Sequence, residues 1–225
     1  MKIKKYKIKL VIFDMDGLMF DTEKLIFRTW KEACKKYKRK VNYRIFKETI
    51  GLNRTKTEEV YKKYYGGSFP FEKIIDEAIG LLENHIHSEG VPLKESLFEL
   101  LEYIRKKQLK MALATSTSRD RTELLLNLSD TKKYFDLVTC GDEIVNGKPD
   151  PEIFLKTSQK IYCPPENCMV LEDSGNGIIA AYRAGMIPVM VPDIIEPGEE
   201  IEAMLFKKFN SLKEVKDYFE DNFKA

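Results

Sequence analysis

Asp14 and Asp16 stand one residue apart at the end of the apolar run Val11-Ile12-Phe13, with Gly17 directly behind them. Two carboxylates so placed can divide a displacement, one acting as nucleophile or metal ligand and the other as proton carrier. Ligands of parallel α/β sheets collect beyond the carboxyl ends of strands, so a strand that ends in acids marks an expected site. Asp before Gly is equally ordinary turn chemistry, and the pair alone decides nothing.

Three later segments answer the pair. Leu113-Ala114 runs into Thr115-Ser116-Thr117-Ser118, a set of hydroxyls that reads as a phosphate cradle or as the N-cap of a following helix. Lys148 sits in the rigid frame Gly147-Lys148-Pro149-Asp150-Pro151, where it either neutralises a bound phosphate or is a surface-loop charge. Val170-Leu171 ends in Glu172-Asp173. Adjacent acids brought near Asp14 and Asp16 repel unless a cation lies between them, and hard oxygen ligands point to Mg²⁺.

Those residues need a frame, and the hydrophobic periodicity supplies one. A first strand is expected over Lys7 to Phe13, preceded by a solvated, lysine-rich strand from Lys2 to Lys9. Helical spacing then covers Thr22 to Lys40, a helix capped by Asn42 and ended by Gly51, Thr55 to Tyr65, and Glu72 to His87. After Gly90 the pattern alternates, with strands at Leu109–Ala114, Phe135–Thr139, Met169–Leu171 and Ile187–Val191. Helices are expected over Lys94–Lys107, Arg119–Leu128, Pro151–Ile161, Gly177–Ala184 and Leu212–Phe223. Alternation of this kind implies right-handed βαβ units. The fold class is therefore α/β: a Rossmann-like parallel sheet core, residues 1–21 and 90–225, interrupted by an all-helical insert over 22–89.

Composition narrows the function. The chain has 225 residues, 33% of them charged, and a net charge of only +2, so no global basic field argues for nucleic acid. No apolar run approaches the ~20 residues that span a bilayer, and Leu10 to Phe13 is too short for a signal peptide. Cys34, Cys140, Cys163 and Cys168 are scattered, which reads as reduced thiols in a cytoplasmic protein. His85 and His87 cannot share one helix face and read as solvated or packing residues. With no extended apolar face in evidence, a monomer is expected.

The ordered segments FDMDGLMFDTE, LATSTS, GKPDPEIF and LEDSGNG resemble the haloacid dehalogenase-like hydrolase superfamily across nearly the whole chain. The likeness is to its phosphatase and β-phosphoglucomutase branch, above all to phosphatases of sugar phosphates and pseudouridine 5'-phosphate. It implies that Asp14 attacks phosphorus to form an aspartyl-phosphate, and that Asp16 protonates the leaving oxygen and then activates water. It implies Mg²⁺ held by Asp14, Asp173 and the Asp16 carbonyl, with Glu172 as a direct or water-mediated ligand. Thr115, Ser116 and Lys148 would hold the phosphoryl oxygens. Dehalogenase relatives lack the second aspartate and ATPase relatives carry threonine there, so Asp16 argues for turnover of a phosphate ester on a small phosphorylated metabolite. The insert would be a mobile cap, and its segment Ile50-Gly51-Leu52-Asn53-Arg54 resembles the family's substrate-reading loop, with Arg54 either a contact for the far end of the substrate or a surface arginine at a helix start. Mutase relatives carry a cap histidine near the position of the apolar Ile26, which counts against the mutase, while Arg54 and Trp30 fit it. A non-catalytic binding protein on the same fold would show an eroded catalytic position, and none is eroded.

Overall fold

A computed structural model describes residues 7–50 and 54–222. The chain divides into two compact units, residues 1–20 with 93–225 and residues 21–92. In chain order, β1 (Leu10–Phe13) comes first, followed by four helices of the second unit: α1 (Thr22–Lys36), α2 (Tyr43–Lys47), α3 (Arg54–Tyr65) and α4 (Phe71–Glu89). The rest alternates: α5 (Leu97–Lys106), β2 (Lys110–Ala114), α6 (Arg119–Leu128), β3 (Leu137–Thr139), α7 (Glu152–Lys160) and β4 (Cys168–Glu172). It closes with α8 (Gly175–Arg183), β5 (Ile187–Met190), α9 (Glu199–Glu202), β6 (Lys207–Lys208) and α10 (Leu212–Asn222).

The six strands form one parallel sheet in the order β3-β2-β1-β4-β5-β6. β1 and β4 are buried along their whole lengths, as expected of apolar strands covered on both faces of a parallel sheet. Leu10, Ile12, Ala112 and Val170 pack with Ile153 and Phe154 of α7 and with Ala180 and Ala181 of α8. Strand order reverses about β1, which makes its carboxyl end the topological switch point of the sheet. Register keeps the three central strands level, since Phe13 lies opposite both Leu113 and Leu171. The residues that follow them therefore emerge together.

The helical unit has its own core. Trp30 of α1 lies 4.9 Å from the Tyr61 ring and 5.7 Å from Phe71, and Tyr61 stacks on Phe69 at 5.4 Å. Asn42 caps α2 as its side-chain chemistry demands, accepting from the Arg44 N–H at 2.8 Å.

Several boundaries differ from the periodicity. β1 begins at Leu10 rather than Lys7, although the Lys9 N–H still bonds Asn167 O at 2.9 Å. Lys7 to Lys9 form no strand, and residues 2–6 of the expected solvated strand lie outside the described residues. α1 stops at Lys36, because Lys38 turns into the left-handed region at φ 55°. α2 stops at Lys47, leaving Ile50 in a turn, and Gly51 is outside the described residues. Ser96, at φ 62°, delays α5 to Leu97. α8 starts two residues before the expected Gly177, because Ser174 caps it by accepting from the Gly177 N–H. β6 was not expected at all.

Candidate active site

Asp14 follows β1 and extends its ladder, its N–H donating to Leu171 O at 3.0 Å. Asp14 is buried, 7% exposed as a residue. Gly17, at φ 84°, lets the chain turn back, and a Cβ there would lie 2.2 Å from Asp173 Oδ2. Glycine is thus required twice over, for the turn and for the approach of the second acidic strand.

Glu172 closes β4 and is 1% exposed. Its Oε2 accepts from the Ser174 N–H at 2.8 Å and the Ser174 hydroxyl at 2.9 Å. Its Oε1 accepts from Lys148 Nζ at 2.7 Å. Lys148 Nζ also donates to Asp14 Oδ1 at 2.5 Å and to Ala114 O at 3.2 Å, which engages all three ammonium protons. Its side chain is 6% exposed and lies 5.0 Å from the centre of the Phe154 ring. Lys148 is therefore a buried bridge between the ends of β1, β2 and β4, and the surface-loop alternative falls. The Lys148–Pro149 peptide bond is cis.

Asp14, Glu172 and Asp173 offer carboxylate oxygens within 4.8 Å of one another. Burial, then the charges of Glu172 and Asp16, push the Asp14 carboxyl up to about 7 against the pull of Lys148. Burial, then Glu172 and Asp14, hold the Asp173 carboxyl well above the usual carboxylate range. Burial disfavours the Lys148 ammonium, but Asp14 and Glu172 outweigh it and raise its pKa. With every group ionised, three carboxylates against one ammonium would leave two negative charges in a poorly solvated place, the cost that the raised Asp14 and Asp173 carboxyls reflect. Oxygen donors of that net charge fit a hard divalent cation, and Mg²⁺ satisfies both conditions.

The hydroxyl run divides into distinct roles. Thr115 is buried and its Oγ1 accepts from the Thr117 N–H at 3.1 Å, while Ser116 is exposed. Thr117 Oγ1 donates to Asp16 Oδ2 at 2.7 Å. Ser118 occupies the N-cap of α6 without a side-chain cap bond, and the Arg119 N–H bonds Asp142 Oδ2 at 3.0 Å instead. The capping alternative for the hydroxyls thus passes to an aspartate from another loop.

Asp14, Asp16, Lys148, Glu172 and Asp173 meet at one end of the sheet, with Thr115 and Ser116 leaving β2 beside the Ala114 carbonyl that Lys148 holds. Arg54 belongs to the helical unit, where its guanidinium bonds Glu72 and, at 3.0 Å, Asp76. Gly51, Leu52 and Asn53 of the loop before it are outside the described residues. Thr117 is the residue that sequence reasoning passed over, hidden in a run of four hydroxyls. Its position two residues past Thr115 was the available signal.

Fold and site together define an α/β protein with a buried carboxylate-and-lysine centre at the switch point of a parallel sheet. The model of the haloacid dehalogenase-like hydrolase family matches residues 11–191, and the chain belongs to that family. It is 33% identical over 183 residues to a phosphorylated carbohydrates phosphatase of Thermotoga maritima, covering 80% of this chain and 82% of that one. It is 32% identical over 195 residues to a probable pseudouridine-5'-phosphatase of Drosophila melanogaster, covering 83% of each. Among solved structures, a Thermotoga maritima protein provisionally assigned as a beta-phosphoglucomutase superposes with a TM-score of 0.80 at 28% identity, covering 95% of this chain and 99% of that one.

Proposed function

We propose that this chain is a Mg²⁺-dependent phosphatase of a small phosphomonoester, a sugar phosphate or nucleoside monophosphate, working through an aspartyl-phosphate. The chain is a phosphoric monoester hydrolase by its family and by relatives named as phosphatases. The observation that carries the mechanism is the shared ammonium of Lys148, held between Asp14 and Glu172 at the switch point.

Asp14 is the nucleophile. Its carboxylate oxygen bonds phosphorus as the bond to the leaving oxygen breaks, and Asp16 gives that oxygen its proton. Asp16, now a carboxylate, takes a proton from water as the water attacks the phosphoryl-aspartate, which frees Asp14 and phosphate. Positioned proton transfer of this kind contributes about 10²–10⁴-fold. Thr115 and Ser116 hold the phosphoryl oxygens and orient the group in line, joined by Lys148 once its ammonium exchanges one of its three contacts for the phosphoryl group. Asp14, Asp173 and the Asp16 carbonyl hold the cation, with Glu172 beside them. Bound there, Mg²⁺ supplies neutralisation of charge on the transferring group.

The helical unit acts as a cap that excludes water and reads the substrate, with Arg54 contacting its far end. The enzyme works in the cytoplasm as a monomer, on a metabolite rather than on nucleic acid. No described helix is long and apolar enough to cross a membrane.

A phosphate-release screen over sugar phosphates and nucleotides, with and without Mg²⁺, ranks substrates by kcat/KM. Asp14→Asn is expected to lower turnover by at least about a thousandfold, the scale on which a covalent nucleophile matters. Undiminished turnover in that variant removes Asp14 from the role.

The mutase reading draws on one structural neighbour assigned to that activity. Ile26, half-buried in α1, stands near where mutase relatives carry a histidine, and disfavours it. Phosphate release from β-glucose 1-phosphate without glucose 6-phosphate eliminates the mutase.

A further inference from the structure

The geometry points to Thr117 as a positioning residue that holds the Asp16 side chain in one orientation for its acid and base steps, an inference that rests on the phosphatase reading. Thr117 Oγ1 donates to Asp16 Oδ2 at 2.7 Å, across 101 residues of sequence. A side chain held by a donor from a rigid loop keeps a fixed rotamer, so the acid/base group meets the leaving oxygen and then the water in one geometry. The same bond steadies the carboxylate once Asp16 has given up its proton and must act as a base.

A hydroxyl can position a partner only if it is itself held, and Thr117 is held on three sides. Its N–H donates to Thr115 Oγ1 at 3.1 Å. Its carbonyl accepts from the Gly141 N–H at 2.9 Å. Its branched Cβ restricts χ1. Gly141 is part of the device, because a Cβ there would lie 2.1 Å from Ser116 O. Glycine at 141 lets the loop after β3 press against the loop after β2 and lock the backbone on either side of the hydroxyl.

Leaving-group dependence tests this. The first half-reaction must protonate an alkyl leaving oxygen, whereas p-nitrophenolate departs without a proton. In Thr117→Val, kcat/KM for a sugar phosphate is expected to fall about ten- to a hundredfold, part of the roughly 10²–10⁴ that positioned proton transfer contributes. For p-nitrophenyl phosphate the fall is expected to stay within about threefold, since that step needs no acid. Thr117→Ser, which keeps the donor, is expected to restore the sugar phosphate rate. Equal losses on both substrates, or no loss on either, overturn the proposal. A crystal structure of Thr117→Val gives a readout free of activity, and an Asp16 carboxylate left in place there also overturns it. Wild-type protein inactive on every phosphate ester defeats the phosphatase reading instead, and the Asp16 rotamer then judges the positioning alone.

Discussion

Asp14 is asked to be a carboxylate in surroundings that favour its acid form. Burial and the neighbouring acids push it up to about 7, from an ordinary value of 3.8. A raised acid contributes stability that is fully present below 3.8 and is lost as pH rises through about 7, so the metal-free protein is expected to lose stability across that window. Cation binding needs the carboxylate and releases its proton. Asp173 is raised as well, so Mg²⁺ affinity is expected to rise steeply with pH through about 7 as both carboxyls give up their protons. Isothermal titration at several pH values checks this, and a flat profile removes Asp14 from the ligand set. Asp14, Asp16, Glu172 and Asp173 could be picked out in the sequence because they follow apolar strand runs, and Lys148 because of its Gly/Pro frame, though the aspartate pair and the lysine frame each had an ordinary turn or loop reading beside it. Thr117 could not, since nothing in a string of hydroxyls says which one meets a distant aspartate.

At the scale of elements, close packing at the strand ends rests on two glycines, Gly17 and Gly177. A Cβ on Gly177 in the first turn of α8 would lie 1.8 Å from Glu172 Oε1. Gly177→Ala is expected to destabilise the fold by about 1–3 kcal/mol and to break the Lys148–Glu172 contact. Thermal unfolding and phosphate release should fall together, and a fully active, fully stable variant contradicts the packing argument. A second junction joins α6, α7 and the end of β3 through Glu143. Although burial opposes it, Lys160, the Cys140 N–H and Arg119 hold this carboxyl down to about 2, from 4.5. Its contribution is present above pH 4.5 and is lost as pH falls through about 2. Glu143→Gln is expected to flatten the acid limb of the stability curve, and an unchanged limb removes the group from it. The apolar strands announced themselves, but β6 is two lysines, Lys207 and Lys208, with no apolar pattern to read. Pairing with Val189 and Met190 makes it a strand, and charge suits it to a sheet edge.

The whole molecule is two cores on one chain. Trp30 is 5% exposed among the aromatics of the helical unit, and Trp30→Ala is expected to cost that unit about 3–5 kcal/mol. Hydrogen exchange should then accelerate over residues 22–89 and leave the amides of β1, β2 and β4 protected. Acceleration across both regions to the same extent shows a single cooperative unit instead. In the sequence the pattern changes from purely helical spacing to alternating strands and helices near Gly90, and the compact units divide between Pro92 and Leu93. The exact ends were not visible there, because Ser96 and Lys38 leave helical geometry through left-handed backbone that no periodicity reveals.

The two crossings between these units lie side by side. Phe20 and Leu93 form an antiparallel bridge, and the Asp21 N–H bonds Pro92 O at 2.8 Å. Seen from the sheet, the 72 residues from 21 to 92 amount to a detour whose exit sits beside its entrance. Closing such a detour with a short turn would ask little extra loop entropy of the core. The helical unit can therefore be lengthened, shortened or exchanged by recombination at one spot while the strands that carry the acids and the lysine keep their register. On the proposed reading of that unit as a cap, a single chemistry would in this way acquire new substrates without being rebuilt.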